Sequence, residues 1–308
     1  MYLPGRPADL HQAARLPSAV ETPARRNALK SYQELPNLTV TTHDGLNYAY
    51  RDTGGSGVPL VLLQHFRGNL DNWDPALVDV LSSERRVIAF DNVGVGGSSG
   101  TPASTIADMA GRTFAFLDSL ALDRVDLLGF SIGSFVAQEV ALARPSVLNR
   151  VVLASSAPKG APGMHGWAPN VLGAVGVREP KPEGYLEVFF TPSEASRRAG
   201  GEALGRMYTR TVDRDAPTSW ACRNAQYDAV CEWGIPNRGL LERLDGIQMP
   251  VFIANGDRDA MILPRFSYLL AGLLPDARVK IYPDSAHGFL FQHHQEFAAD
   301  VGAFLATS

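Results

Sequence analysis

Val125-Asp126-Leu127-Leu128-Gly129-Phe130-Ser131-Ile132-Gly133-Ser134-Phe135-Val136 is the stretch on which the reading of this chain turns. An apolar run, Val125 to Leu128, stops at Gly129, and a helix-compatible run, Phe135 to Leu142, begins after Gly133. Ser131 therefore falls on a strand-to-helix corner of the G-x-S-x-G type. A serine on so sharp a turn brings the backbones two residues to either side into contact, and glycine at both places avoids a clash. The turn aims Oγ outward, while the first turn of the following helix offers unpaired N–H groups and a positive dipole end to an oxyanion. Ser131 is the candidate nucleophile. A buried Gly-Ser-Gly turn shares the pentapeptide, so the reading requires a base and an acid in the right context.

Outward from this corner the chain alternates strand and helix signals. Leu38 to Thr42 and Leu46 to Arg51 flank a His43-Asp44-Gly45 turn and predict an antiparallel start. Short apolar runs at Leu60 to Leu63 and Val87 to Phe90, with a helix from Pro75 to Leu81 between them, predict parallel strands buried on both faces. Ile106, Met109, Ala110, Thr113, Phe114 and Leu117 share one helical face. Val151 to Ala154, Val251 to Ala254 and Val279 to Tyr282 supply further strands, and helices are expected over Leu263 to Leu274 and His294 to Leu305. The fold class is α/β.

Residues 1–36, with Pro4, Pro7, Pro17, Pro23 and Pro36 among basic residues, read as an N-terminal extension, either a mobile tail or an arm packed on this or a neighbouring subunit. Residues 37–157 and 245–308 read as the core domain. Residues 158–244 show no strand signal and are rich in aromatics, which predicts a helical insertion. Such an insertion sits at the carboxyl edge of the sheet, where ligands bind, and is expected to cap Ser131.

A serine hydroxyl needs a base within hydrogen-bond reach and an acid to orient that base. His287, after the Val279 strand, is the natural base; His293 and His294 lie in or beside the last helix, and His11, His43 and His165 have no comparable setting. Asn255-Gly256-Asp257-Arg258-Asp259 follows the Val251 strand, so two carboxylates, Asp257 and Asp259, compete for the role of acid. Asp91-Asn92-Val93-Gly94-Val95-Gly96-Gly97-Ser98 superficially suggests a dinucleotide fingerprint, but Gly94, Gly96 and Gly100 give G-x-G-x-x-x-G with no prompt helix.

The order Ser131, Asp, His287, each at the end of its own strand, resembles the α/β-hydrolase superfamily over about residues 37–306. That resemblance implies an α/β-hydrolase fold, a mostly parallel eight-stranded sheet flanked by helices with a helical cap. It selects Asp259 as the acid and leaves Asp257 to stabilise the turn. Gln64-His65-Phe66-Arg67-Gly68-Asn69 looks like the superfamily's His-Gly-x-x-Gly oxyanion loop with Phe66 in place of the first glycine, which implies Phe66 N–H and Ile132 N–H as oxyanion donors. The stretch Asp91 to Ser98 resembles the superfamily's Asp-x-x-Gly-x-Gly-x-Ser loop. Over Gln64 to Pro75, Gly129 to Gly133 and His287 to Gln292 the chain is similar to actinobacterial hydrolases that include zearalenone lactonases.

The implied chemistry is ester or lactone hydrolysis through an acyl-enzyme, with no cofactor and no metal, on a bulky hydrophobic small-molecule ester or lactone and with a zearalenone-type macrolactone as the specific candidate. General carboxylesterase or arylesterase activity, a cofactor-free perhydrolase or haloperoxidase-like activity, and carbon–carbon bond hydrolysis use the same triad, and a ligand-binding protein on this fold is the non-enzymatic alternative. Trp167, Phe189, Phe190, Tyr208, Trp220 and Phe289 are the expected substrate contacts. Arg67 is assigned either a substrate contact or a salt bridge.

Composition sets the outer bounds. The chain has 308 residues, 45% hydrophobic and 19% charged, enough for a large core. A net charge of -4 argues against nucleic-acid binding, and no run of eighteen apolar residues predicts a membrane span. Two cysteines, Cys222 and Cys231, lack disulfide-framework or zinc-site character, and no secretory signal pattern opens the chain, so a cytoplasmic location is expected. A homo-oligomer is compatible with these features.

Overall fold

The computed structural model describes residues 30–307. Most of the expected N-terminal extension, residues 1–29, lies outside the described residues. In chain order the elements are β1 (Leu38–Thr41), β2 (Asn47–Asp52), β3 (Leu60–Leu63), α1 (Pro75–Ser82), β4 (Val87–Phe90), α2 (Ile106–Ser119), β5 (Val125–Phe130), α3 (Ile132–Ala143) and β6 (Leu148–Ala154). Next come α4 (Pro169–Val175), α5 (Pro182–Phe189), α6 (Glu194–Met207), α7 (Trp220–Trp233) and α8 (Arg238–Leu241). The chain closes with β7 (Val251–Gly256), α9 (Arg265–Leu273), β8 (Ala277–Tyr282), α10 (Phe289–Gln292) and α11 (His294–Ala306).

The strands form one eight-stranded sheet in the order β1-β2-β4-β3-β5-β6-β7-β8. β2 pairs antiparallel with β1 and β4, and every pairing from β4 through β8 is parallel. This is the α/β-hydrolase fold expected from the sequence. Every residue of β3, β4, β5 and β7 is buried, which is why those strands read as continuous apolar runs instead of alternating ones. β6 starts at Leu148, earlier than its apolar core, because Leu148 pairs with Val125 across a register shift. Helices start where the chemistry favours them: the Asp74 side chain accepts from Ala76 N ahead of Pro75, and the Thr105 side chain accepts from Asp108 N.

Register decides where chemistry can occur. Leu63 lies opposite Gly129, Phe130 opposite Ala154, and Ala154 opposite Ala254. The loops that leave β3, β5, β6 and β7 therefore emerge at one carboxyl edge. Among the described residues, the stretch 158–244 contains α4 to α8 and no strand. α4 packs on α5, and α6 packs on both α1 and α10.

The described part of the extension is attached to the core. Tyr32 N and Ser31 Oγ both donate to the Asp79 carboxylate on α1, and Tyr32 Oη donates to Leu70 O at 2.9 Å. The Tyr32 ring lies beneath Arg51, whose guanidinium carbon is 5.0 Å from the ring centroid. Arg51 and Asp71 form a fully buried pair at 2.6 Å, with side chains 1% and 2% exposed. Arg51 Nε also donates to Asn37 Oδ1, and Asp71 Oδ2 accepts from Asp215 N. A buried pair gives little net stability when intact, but removing one partner strands the other charge away from water. Asp71→Ala is expected to cost about 3–5 kcal/mol of stability, measured by urea unfolding, whereas the same change at the exposed Asp118, which pairs with Arg144 at 2.6 Å, costs no more than about 1 kcal/mol.

Candidate active site

Ser131 joins β5 to α3 with φ 56° and ψ -123°, a backbone conformation that side-chain-bearing residues rarely occupy. The two flanking glycines are required by contact. A Cβ on Gly129 would lie 2.3 Å from Gly133 O, and one on Gly133 would lie 2.3 Å from Leu63 O. Ser131 N donates to Ala154 O at 2.9 Å, which ties the corner to β6. From below, Ser134 Oγ donates to Ser131 O at 2.5 Å, and Ser134, Ser156 and Gln138 form a buried polar chain ending on Ala157 O. Sequence reasoning did not identify this brace, because Ser134 and Gln138 look like ordinary helix residues.

The structure brings Asp259 and not Asp257 to His287. His287 Nδ1 lies 2.8 Å from Asp259 Oδ2, with both side chains at most 1% exposed. Asp259 Oδ1 accepts from Met261 N and Ile262 N, each at 2.9 Å, so the carboxylate is held at both oxygens. Asp257 Oδ1 accepts from Ser285 N at 3.1 Å and clips the acid loop to the histidine loop. With the Nδ1 proton donated to Asp259, the Nε2 lone pair is left for another proton. Nε2 is buried and has no hydrogen-bond partner among the described residues. The ring is seated on Phe130, the residue before Ser131, with centroids 5.1 Å apart. No hydrogen bond joins Ser131 Oγ to Nε2 among the described residues.

The loop after β3, the candidate oxyanion loop, is built by its own side chains. Gln64 Nε2 donates to Asn69 O and Gln64 Oε1 accepts from His65 N, each at 2.9 Å. A Cβ on Gly68 would meet Gln64 Cγ at 2.4 Å, which accounts for that glycine. Burial lowers the His65 pKa to about 4, with His287 acting in the same direction. His65 is therefore neutral at neutral pH, and its Nδ1–H donates to Phe66 O at 2.9 Å. Neither Phe66 N–H nor Ile132 N–H donates to a protein acceptor among the described residues.

A cavity of about 520 Å³ opens beside these groups. His65, Phe66 and His287 contribute to its wall, with an apolar surface from Tyr185, Phe189 and Met207. Of the expected substrate contacts, Phe189 and Tyr208 line it; Trp167, Phe190, Trp220 and Phe289 do not. Trp167 stands edge-on behind Phe66, with centroids 4.8 Å apart. Phe190 packs against Gly200 between α5 and α6, and Trp220 lies under the Arg178 and Arg223 guanidinium groups. Phe289 is enclosed by Tyr282 and Phe297 on the far side of the histidine loop. Aromatic composition does not distinguish a ring that fills an insertion's own core from one that faces a cavity. Tyr185 was missed, although it stands four residues before Phe189 on α5 and stacks on it at 3.8 Å. Arg67 forms no salt bridge among the described residues: it lines the cavity and donates to Val177 O at 2.6 Å and Arg178 O at 3.2 Å. Among the described residues no cluster of three or more His, Cys, Asp or Glu is arranged for a metal ion, and no helix is long and apolar enough to cross a membrane.

Against known proteins, a family model described as the alpha/beta hydrolase fold matches residues 58–294. An alpha/beta hydrolase fold protein from Chitinophaga pinensis superposes with a TM-score of 0.85 at 37% identity, covering 91% of this chain and 100% of that one. The chain is 29% identical to a non-heme chloroperoxidase of Streptomyces lividans over 87% of its own length and 99% of that protein's. It is also similar to Est816, described as an N-acyl homoserine lactone degrading enzyme, at 25% identity and a TM-score of 0.68, with 87% of this chain and 100% of that one covered.

One electrostatic feature at the cavity edge gives a pH dependence. Asp91, at the end of β4, accepts from Leu70 N at 2.8 Å and Gly97 N at 3.0 Å. Asp215, from the loop between α6 and α7, converges on the same spot: a Cβ on Gly96 would lie 2.1 Å from Asp91 Oδ2 and 3.0 Å from Asp215 Cγ. Burial, then the neighbouring Asp215, raises the Asp91 carboxyl well above its usual range; burial, then Asp71, raises Asp215. Groups raised on folding contribute stability that is complete below the unfolded carboxylate value, about 4, and that is lost as pH rises through the folded values. Asp215→Asn removes one of the two like charges. Its thermal midpoint is expected to gain on wild type steadily as pH is raised from 5 to 8; parallel midpoint curves would show that the pair does not share its charge.

Proposed function

The chain belongs to the alpha/beta hydrolase family, and from that premise we propose that it is a serine hydrolase that cleaves a carboxylic ester or lactone through an acyl-enzyme. The observation that carries this reading is the His287 ring, fixed at Nδ1 by Asp259, left with an unpartnered Nε2 and packed on Phe130 next to a strained serine corner. In the proposed sequence, His287 Nε2 takes the Ser131 proton as Oγ attacks the carbonyl carbon. The oxyanion is met by Phe66 N–H and Ile132 N–H, two donors with no protein partner of their own. His287 returns the proton to the leaving alkoxide, water repeats the attack on the acyl carbon, and Ser131 is restored. Asp259 keeps the Nδ1 proton in place and stabilises the imidazolium. Hydrogen bonds of this kind tighten on substrate binding, which accommodates the open Ser131–His287 contact here.

Residues 158–244 act in this reading as a cap, since they furnish Tyr185, Phe189, Met207 and Tyr208 to the cavity wall. The apolar wall and the cavity volume suit a bulky hydrophobic acyl or aryl group. A zearalenone-type macrolactone, hydrolysed by a cytoplasmic enzyme to a product in which acid and alcohol stay on one chain, is the specific substrate we propose. The likeness to Est816 supports the lactone class. The likeness to the Streptomyces lividans chloroperoxidase favours a second reading on the same three residues, perhydrolysis, in which hydrogen peroxide replaces water in the deacylation step.

Ser131→Ala and His287→Ala are each expected to lower kcat by about four to six orders of magnitude, and Asp259→Asn by about four. Steady-state hydrolysis of short and long aryl esters beside small and macrocyclic lactones tests both levels. Turnover of every substrate by Ser131→Ala would sink the nucleophile assignment. Loss in that variant, with wild type acting on aryl esters but leaving the resorcylic macrolactone intact, would keep the hydrolase and remove the macrolactone.

A further inference from the structure

The cavity wall combines apolar side chains with an excess of basic ones, of which Arg178 and Lys181 are exposed. Arg67, Arg178, Lys181 and Arg214 all line it, and only two acids, Glu179 and Asp215, do. Asp215 is committed to Asp91 and the buried network behind it, so Glu179 alone opposes four cations. None of these four makes a salt bridge with a carboxylate among the described residues. Arg67 spends its guanidinium on the carbonyls of Val177 and Arg178, and Arg214 donates to Met207 O at 2.7 Å while lying 4.5 Å over the Tyr208 ring. Arg178 rests over the Trp220 ring at 5.3 Å. A fifth cation, Arg223, packs over Phe66, Trp220 and Tyr227 and, after burial, is what pulls the Arg67 pKa down. The whole chain carries a net charge of -4, so this concentration of positive charge is local.

Like charges lining a low-dielectric cleft focus a positive potential into it. Aromatic faces and carbonyl oxygens hold the arginines in place without neutralising them, which leaves their charge for a guest. Arginine forks match the planar, two-oxygen geometry of a carboxylate, and lysine adds a point charge. Resting on the hydrolase reading above, we propose that the substrate is an ester or lactone bearing an anionic oxygen group, a carboxylate or an ionised phenol, at the end remote from the scissile bond. Arg178, Lys181 and Arg214 receive that group, while Tyr185, Phe189 and Met207 enclose the apolar part between it and the carbonyl. The cationic lining then selects which ester is bound and has no part in bond breaking.

The test uses the p-nitrophenyl monoester of suberic acid beside p-nitrophenyl octanoate, matched in acyl length and differing in the terminal carboxylate. Wild type is expected to favour the anionic ester at least tenfold in kcat/KM at low ionic strength, and the preference should shrink as salt is raised. The Arg178→Gln/Lys181→Gln double variant, at two exposed positions, should bring the ratio of the two kcat/KM values close to one, with the loss in KM and not in kcat. A wild-type ratio near one, or a preference that persists in the double variant, overturns the proposal even if Ser131 is the nucleophile. Should neither ester be hydrolysed, calorimetric binding of suberate against octanoate to the Ser131→Ala protein decides it independently of turnover: tighter, salt-sensitive binding of suberate supports it, and equal binding refutes it.

Discussion

The rest of the structure depends on holding one residue in a conformation it does not favour. Ser131 at φ 56° and ψ -123° persists only because the surroundings over-determine it. Gly129 and Gly133 remove the side chains that would collide, and β6 takes the serine's own N–H. Ser134, Ser156 and Gln138 then hold the carbonyl from beneath. The close approach of Gly133 to Leu63 O also locks the start of α3 against the end of β3, from which the oxyanion loop departs. The strained corner and the loop that would meet the oxyanion are thus parts of one packed junction.

A second set of contacts joins the 158–244 stretch to that junction through the loops that carry His287 and Phe66 and not only through the general core. Gly288 N donates to Phe189 O at 2.8 Å, immediately after His287. Arg67 N donates to Gln226 Oε1 at 2.7 Å and Arg67 O accepts from Thr218 Oγ1 at 2.6 Å, immediately after Phe66. Arg206 of α6 reaches Asp74 at 2.6 Å, the carboxylate that also caps α1. A movement of these helices would be felt at the oxyanion loop and at the histidine loop together. The shape of the cavity and the geometry of the proposed chemistry are therefore coupled, and the Asp91–Asp215 contact makes part of that coupling sensitive to pH.

Much of this was legible in the chain. Four of the eight strands, β3, β4, β5 and β7, were marked by short apolar runs, because a strand covered on both faces leaves no polar alternation, and the strand-to-helix corner was marked by glycines that sterics alone require. Asp257 and Asp259 were equivalent candidates on strand position alone, and only the family resemblance selected Asp259. They are separated in the fold by which carboxylate two backbone N–H groups turn toward His287, a consequence of the turn through Met261 and Ile262. The aromatic residues were a poorer guide: Trp167, Phe190, Trp220 and Phe289 are as hydrophobic as Phe189, yet each is consumed by packing against a neighbour. The basic lining was not legible either, since Arg67, Arg178, Lys181 and Arg214 are scattered over three separate segments.

By itself the sequence determined the local geometry: where strands end, where helices can start, and which residue must occupy a conformation that its neighbours have to accommodate. Those properties arise from sterics and from periodicity within a few residues. Only the tertiary structure decided which backbone donors hold Asp259 against His287, which aromatic rings line the cavity, and that four cations without carboxylate partners line that same cavity. Each of these depends on distances between residues tens to hundreds of positions apart, set by strand register and by how the inserted helices pack on the sheet edge.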